Sequence, residues 1–287
     1  DTRSIVAGGL GSSAALNVIE YFTFASAGNA TDFGDLSATA LYSTGFSNNV
    51  RGVDVLGYTS GYVNTLEYVT IASTGNSIDF GDATIPQRAF AGAVASTTRG
   101  VIGGGYNSGK TNVIDYVTIA SAGNATDFGD LTVARYSSGA AGNNTRGIFA
   151  GSGSGTYGTV MDYITIASTG NATDFGDTLE DRDGLAGLAN STKAIYGGGR
   201  NDSGGSTTIQ QVTIATTGNA TDFGDMTAAK SFVMGACSGT EAVQNESYFA
   251  PASIGLYAGG TEPDNSNNQS LVSYINIATD GEAAMFG

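Results

Sequence analysis

One phrase returns along this chain at a nearly constant interval. It first reads Phe24-Ala25-Ser26-Ala27-Gly28-Asn29-Ala30-Thr31-Asp32-Phe33-Gly34-Asp35, and variants of it end at Asp82, Asp130, Asp177, Asp225 and Gly287. The phenylalanines inside it, Phe33, Phe80, Phe128, Phe175, Phe223 and Phe286, stand 47, 48, 47, 48 and 63 residues apart. An interval of that length belongs to stacked or circular arrays of one supersecondary unit, in which neighbouring copies share a core. A single repeat domain over 1–287 is therefore expected, with units at about 1–35, 36–82, 83–130, 131–177, 178–225 and 226–287.

The unit 131–177 shows the internal plan. Residues 131–142 are small and β-capable and read as a first strand, closed by the polar turn Asn143-Asn144-Thr145. Residues 146–151 are a second strand ending in glycine, and 160–167, rich in β-branched and aromatic residues, a third. The turn Ser168-Thr169-Gly170-Asn171 leads to a short fourth strand over 172–176. Helical periodicity and helix caps are absent. Four short antiparallel strands per unit are the blade of a β-propeller, and burial of each blade on both faces accounts for the near-continuous apolar third strand. The expectation is an all-β, six-bladed propeller whose repeated phenylalanines pack between blades. Residues 1–35 supply strands two to four only, so blade 1 lacks its inner strand, which must come from outside these residues.

An Arg early in strand one recurs at Arg88, Arg135 and Arg182, with Lys230 in the same place. Strand two ends in a glycine pair, and strand three carries a Tyr at Tyr21, Tyr68, Tyr116, Tyr163 and Tyr274, with Gln211 the exception. This pattern resembles the kelch family of propellers, with Phe where kelch blades usually carry Trp. The phrase at 162–177 is similar to repeats in large virion and tail-fibre proteins of marine bacteriophages. That resemblance implies a structural or recognition propeller on a virion or other extracellular surface, with other fibre subunits and a host-surface glycan or protein as partners and homo-oligomers possible.

Composition excludes several functions. The net charge of -15 and pI near 4.1, with no basic run, remove the attraction that nucleic acid or an anionic membrane requires. No apolar stretch is long enough to span a bilayer. The chain has no His, which takes away the commonest general base and metal ligand, and its single Cys237 has no intrachain partner for a disulfide. Histidine-dependent triads and copper sites are excluded with it. The Asp-Phe-Gly triplets match a kinase metal loop in letters alone, without a glycine-rich nucleotide loop or catalytic His-Arg-Asp. They read instead as interblade Phe flanked by turn-forming Asp; calcium held by pairs such as Asp32 and Asp35 is the weaker alternative, lacking a dense Asp ligand run. The Asn-Ala-Thr triplets at Asn29, Asn124, Asn171 and Asn219 read as turns rather than glycan acceptors. The expectation is a non-enzymatic protein with no cofactor and no metal.

Binding residues are sought where the copies differ. The loops between strands two and three diverge most, and in an up-and-down blade they share one face with the links between blades. They nominate Tyr58, Tyr62, Tyr106, Asn107, Tyr157, Arg200 and Asn201 as the ligand-binding face. Arg88, Arg135, Arg182 and Lys230 are expected as a ring at the channel mouth, either binding an anion or paired with Asp82, Asp130, Asp177 and Asp225. The one large insertion, around 238–253, carries Tyr248 and Phe249 as a subunit-docking pair. Two other functions remain open: an assembly or spacer module of an appendage, and a polysaccharide-degrading enzyme using one of many carboxylate pairs.

Overall fold

The computed structural model describes residues 3–11, 14–23, 28–85, 91–106, 108–152, 158–230, 232, 234–238, 254–258, 272–276, 281 and 284–285. These residues form 23 strands and no helix. An N-terminal sheet contains β1 (Arg3–Ala7), β2 (Leu16–Thr23) and β3 (Thr31–Ala40). Blade A contains β4 (Thr44–Ser47), β5 (Arg51–Val55), β6 (Thr65–Thr70) and β7 (Ile78–Asp82). Blade B contains β8 (Gly92–Ala95), β9 (Arg99–Gly103), β10 (Thr111–Thr118) and β11 (Thr126–Arg135). Blade C contains β12 (Gly139–Gly142), β13 (Arg146–Ser152), β14 (Gly158–Thr165) and β15 (Thr173–Asp177). Blade D contains β16 (Asp183–Ala189), β17 (Lys193–Asn201), β18 (Gly204–Thr213) and β19 (Thr221–Lys230). Blade E contains β20 (Met234–Ser238), β21 (Ile254–Ala258), β22 (Val272–Asn276) and β23 (Ala284–Met285). Every pairing is an antiparallel meander, and the inner strands β4, β8, β12, β16 and β20 neighbour one another in that order.

The protein is therefore a five-bladed β-propeller, and the six blades expected from the sequence are corrected. Six phrases mark six outer strands, but a blade also needs an inner strand at the axis, and among the described residues five sheets have four strands and the sixth has three. The sheet β1–β3 lies against blade A, where Ile19, Phe33, Leu36 and Ala40 pack with Leu56 and Val69. The first-strand assignment also changes. Residues 131–135 continue the outer strand β11 across a bulge, with Arg135 opposite Thr111, and the inner strand is only β12.

The repeated phrase laces each sheet to the next. In each copy the Gly N–H of the turn donates to the Phe carbonyl of the preceding phrase: Gly75 to Phe33 (2.7 Å), Gly123 to Phe80 (2.6 Å), Gly170 to Phe128 (2.7 Å) and Gly218 to Phe175 (2.7 Å). The neighbouring Asn76, Asn124, Asn171 and Asn219 side-chain oxygens accept from the N–H of Asp35, Asp82, Asp130 and Asp177, each at 3.1 Å. Those asparagines are thus cross-sheet acceptors. The contact demands glycine on the receiving side: Gly129 has φ 140°, and a Cβ there would lie 2.6 Å from the Gly170 carbonyl.

A second lacing uses arginines at the start of the second strands. Arg3, Arg51, Arg99 and Arg146 lie 4.2 to 4.6 Å over the rings of Tyr21, Tyr68, Tyr116 and Tyr163. Each also donates to an Ile carbonyl of the next sheet: Ile71, Ile119, Ile166 and Ile214, at 2.8 to 3.1 Å. The same tyrosines meet Phe33, Phe80, Phe128 and Phe175 edge-on at 5.9 to 6.0 Å, so charge, ring and ring form one column per junction. At blade D, Gln211 takes the Tyr place and Lys193 lies 5.8 Å from the Phe223 ring instead.

Replacing Gly129 with Ala should lower unfolding free energy by roughly 1–3 kcal/mol, from left-handed strain and displaced backbone. Gly123→Ala, at a site with no atom within 4 Å of the added Cβ, should change it far less. Urea unfolding of the two variants measures the difference.

Candidate functional site

At the rim where the second strands turn into the third, five tyrosines converge from separate parts of the chain. Tyr58 and Tyr62 come from the β5–β6 loop and Tyr106 from the β9–β10 loop, while Tyr42 and Tyr136 sit on the links β3–β4 and β11–β12. Ring centroids are 5.2 Å apart for Tyr58 and Tyr62, 5.7 Å for Tyr62 and Tyr106, and 5.2 Å for Tyr106 and Tyr136. Backbone bridges hold the ring-bearing segments: Leu41 with Tyr58, Tyr58 with Tyr62, and Tyr106 with Lys110. Gly57 lets the β3–β4 link lie flat on this loop, because a Cβ there would run into the carbonyl oxygens of Leu41 and Tyr42. Tyr42 is 49% exposed and has φ 58°, a conformation shared by Ser137 and Phe232 at the matching links, so the left-handed turn belongs to blade entry.

Burial, followed by the neighbouring Tyr106, Tyr58, Tyr42 and Tyr136, pushes the Tyr62 phenol above its ordinary pKa. Tyr62 therefore keeps its hydroxyl neutral at physiological pH, able both to donate and to accept. The rim can stack on an apolar ring face and hydrogen-bond at its border.

Of the loop residues nominated by sequence, Tyr58, Tyr62 and Tyr106 come together here, whereas Asn107 and Tyr157 lie outside the described residues. Arg200 lies on the blade D rim, where its Nε donates to the Asp183 carboxylate at 3.2 Å and its guanidinium covers Phe232 at 4.5 Å. The Asn201 side-chain oxygen accepts from the Ser203 N–H at 2.9 Å. Phe33, Phe80, Phe128, Phe175 and Phe223 are buried at the sheet junctions; Phe286, Tyr248 and Phe249 lie outside the described residues. Sequence reasoning missed Tyr42 and Tyr136. Their signal was the Tyr-Ser pair that follows the outer phrase in both copies, hidden by its placement inside a supposed first strand.

The ring of cations expected at the channel mouth is corrected. Arg135 and Lys230 are 0% exposed and Arg182 is 5% exposed, and Arg88 lies outside the described residues. Arg135 and Lys230 end outer strands, and the Arg135 side chain turns into the next blade. It donates to the carbonyls of Phe149, Gly151 and Val160 and to the Asp162 carboxylate at 2.6 Å. Its carboxylate partner is thus on the third strand, not at Asp130. Burial raises the Asp162 pKa, and the Arg135 charge with the Thr132 hydrogen bonds opposes the rise. Arg182 pairs with Glu180, and burial lowers the Lys230 pKa.

Asp162 belongs to a series. Glu67, Asp115, Asp162 and Gln210 accept from the backbone N–H of Ser37, Thr84, Thr132 and Leu179, fixing the exit of each outer strand. Directly opposite them in register stand Asp54, Ile102, Phe149 and Tyr196. Ile102, Phe149 and Tyr196 are fully buried core residues. Asp54 replaces that core residue in blade A, and its Oδ2 is shut from solvent without a hydrogen-bond partner. Burial, then the charge of Glu67, pushes Asp54 up to about 8. Glu67, whose charge acts on it, is itself committed to Ser37 and Ser77. Among the described residues no group of three or more Asp, Glu, His or Cys could hold a metal.

No protein-family model and no curated protein matches the chain. The fold and the rim define the class without a relative: a β-propeller with an aromatic loop edge.

Because burial holds the Asp54 proton in the fold up to about 8 against 3.8 when unfolded, the contribution of Asp54 to stability should be full below 3.8 and be lost as pH rises towards about 8. Asp54→Asn should flatten this slope, which urea midpoints at about pH 5.5 and about pH 8.5 will register. Asp162→Ala should cost roughly 3–5 kcal/mol by leaving the Arg135 charge buried and unpaired, measurable by the same unfolding curves.

Proposed function

We propose that this chain is a non-catalytic recognition propeller, and that the tyrosine rim is the surface it presents to its partner. One observation carries the reading: Tyr42, Tyr58, Tyr62, Tyr106 and Tyr136 reach one edge from four separate segments, while the described arginines are spent on internal contacts. Tyrosine gives large amphipathic contact area at small entropic cost, and a rigid scaffold lowers that cost further. The missing histidine supports a binding role over hydrolysis. The resemblance of the 162–177 phrase to marine phage fibre repeats supports a place on a virion or other extracellular appendage, with a host-surface molecule as partner.

The test is adhesion of the fluorescently labelled chain to a panel of intact marine bacteria. Wild type should label some strains, and Tyr58→Ala combined with Tyr106→Ala should abolish that labelling with the melting temperature preserved. Equal labelling by the double variant would remove the rim from recognition.

A further inference from the structure

The chemistry of the ligand follows from how the rings are arranged, and this step rests on the recognition reading above. Tyr58, Tyr62, Tyr106 and Tyr136 form a continuous row, with adjacent ring planes inclined at 83°, 51° and 64°. Tyr42, with about half of its surface open, belongs to the same group. The rings touch one another, so they enclose no void of the kind an aromatic cage needs to surround an ammonium group. They offer instead a ridge of apolar ring surface bordered by phenol oxygens.

Charge narrows the choice further. A chain at net -15 repels an anionic polymer; Arg200 on the blade D rim already faces Asp183, and the single Lys110 bridged to Tyr106 does not offset that charge. An uncharged polyhydroxylated chain meets no such barrier. Its sugar rings carry apolar C–H faces that stack on aromatic rings and hydroxyls that match the phenol donors and acceptors.

We propose that the tyrosine row binds an uncharged, extended glycan across several of its rings. The bridges at Leu41–Tyr58, Tyr58–Tyr62 and Tyr106–Lys110 hold the row in place before the ligand arrives. Tyr62 and Tyr106, each with rings on both sides, contribute most.

The experiment is calorimetric titration of the full chain with glucan, mannan and galactan oligosaccharides of increasing length, and with alginate oligomers as the anionic control. At least one neutral series should bind, with affinity rising with length until the row is filled and then levelling. Tyr62→Ala should weaken that binding about tenfold, and Tyr106→Ala should do so independently if the first variant unfolds. Binding of alginate alone, binding of no neutral series, or binding unchanged in both folded variants overturns the proposal. If no neutral glycan binds while bacterial labelling still depends on Tyr58 and Tyr106, the glycan assignment falls and the recognition reading stands. If glycan binding depends on the row while bacterial labelling does not, the reverse holds.

Discussion

The backbone lacing between successive phrases is the interaction on which the rest of this structure depends. A blade is a narrow sheet with apolar residues on both faces, and it is stable only when both are covered. Side chains supply the cover, but the Gly-Asn turn of one sheet seated on the Phe-Gly-Asp of its neighbour sets the distance and angle at which they meet. With that spacing set, Phe128 falls beneath Tyr116, Arg99 lies above it, and the guanidinium reaches the Ile166 carbonyl. Each group satisfies another, so little polar capacity is left over inside the wheel.

The same economy explains where function can reside. Arg135 is buried against Asp162, and Arg3, Arg51, Arg99 and Arg146 are clamped over rings. Buried ion pairs of this kind contribute uncertain net stability but penalise every misdocked arrangement, because a lone charge would remain in the core. The acid series that receives the outer strands is equally committed. The edge carrying the tyrosines is the place where aromatic rings from four segments meet on a held loop framework.

Much of the architecture was legible in the chain because the phenylalanine interval reports a physical repeat. The loop tyrosines Tyr58, Tyr62 and Tyr106 were legible for the opposite reason, since they depart from the pattern of their siblings. The blade count was not, because the phrase marks outer strands while a blade is completed at its inner strand, whose Gly-Ala content carries little signal. Nor was the fate of Arg135: a bulge keeps residues 131–135 in the outer strand, and no local propensity distinguishes that from a new strand. Arg51, Arg99 and Arg146 repeat as plainly as the phenylalanines, yet their carbonyl partners lie 67 or 68 residues away.

The lacing also has a consequence for how such a protein diversifies. Because each turn meets its neighbour through main-chain atoms and one recurring amide, adjacent modules grip one another the same way whatever their rim loops contain. A duplicated module inherits its sockets ready made, and the loops it carries are at liberty to drift. Mutational freedom is thereby concentrated on the edge that faces outward, and a new specificity can arise there without renegotiating the joints that hold the wheel together.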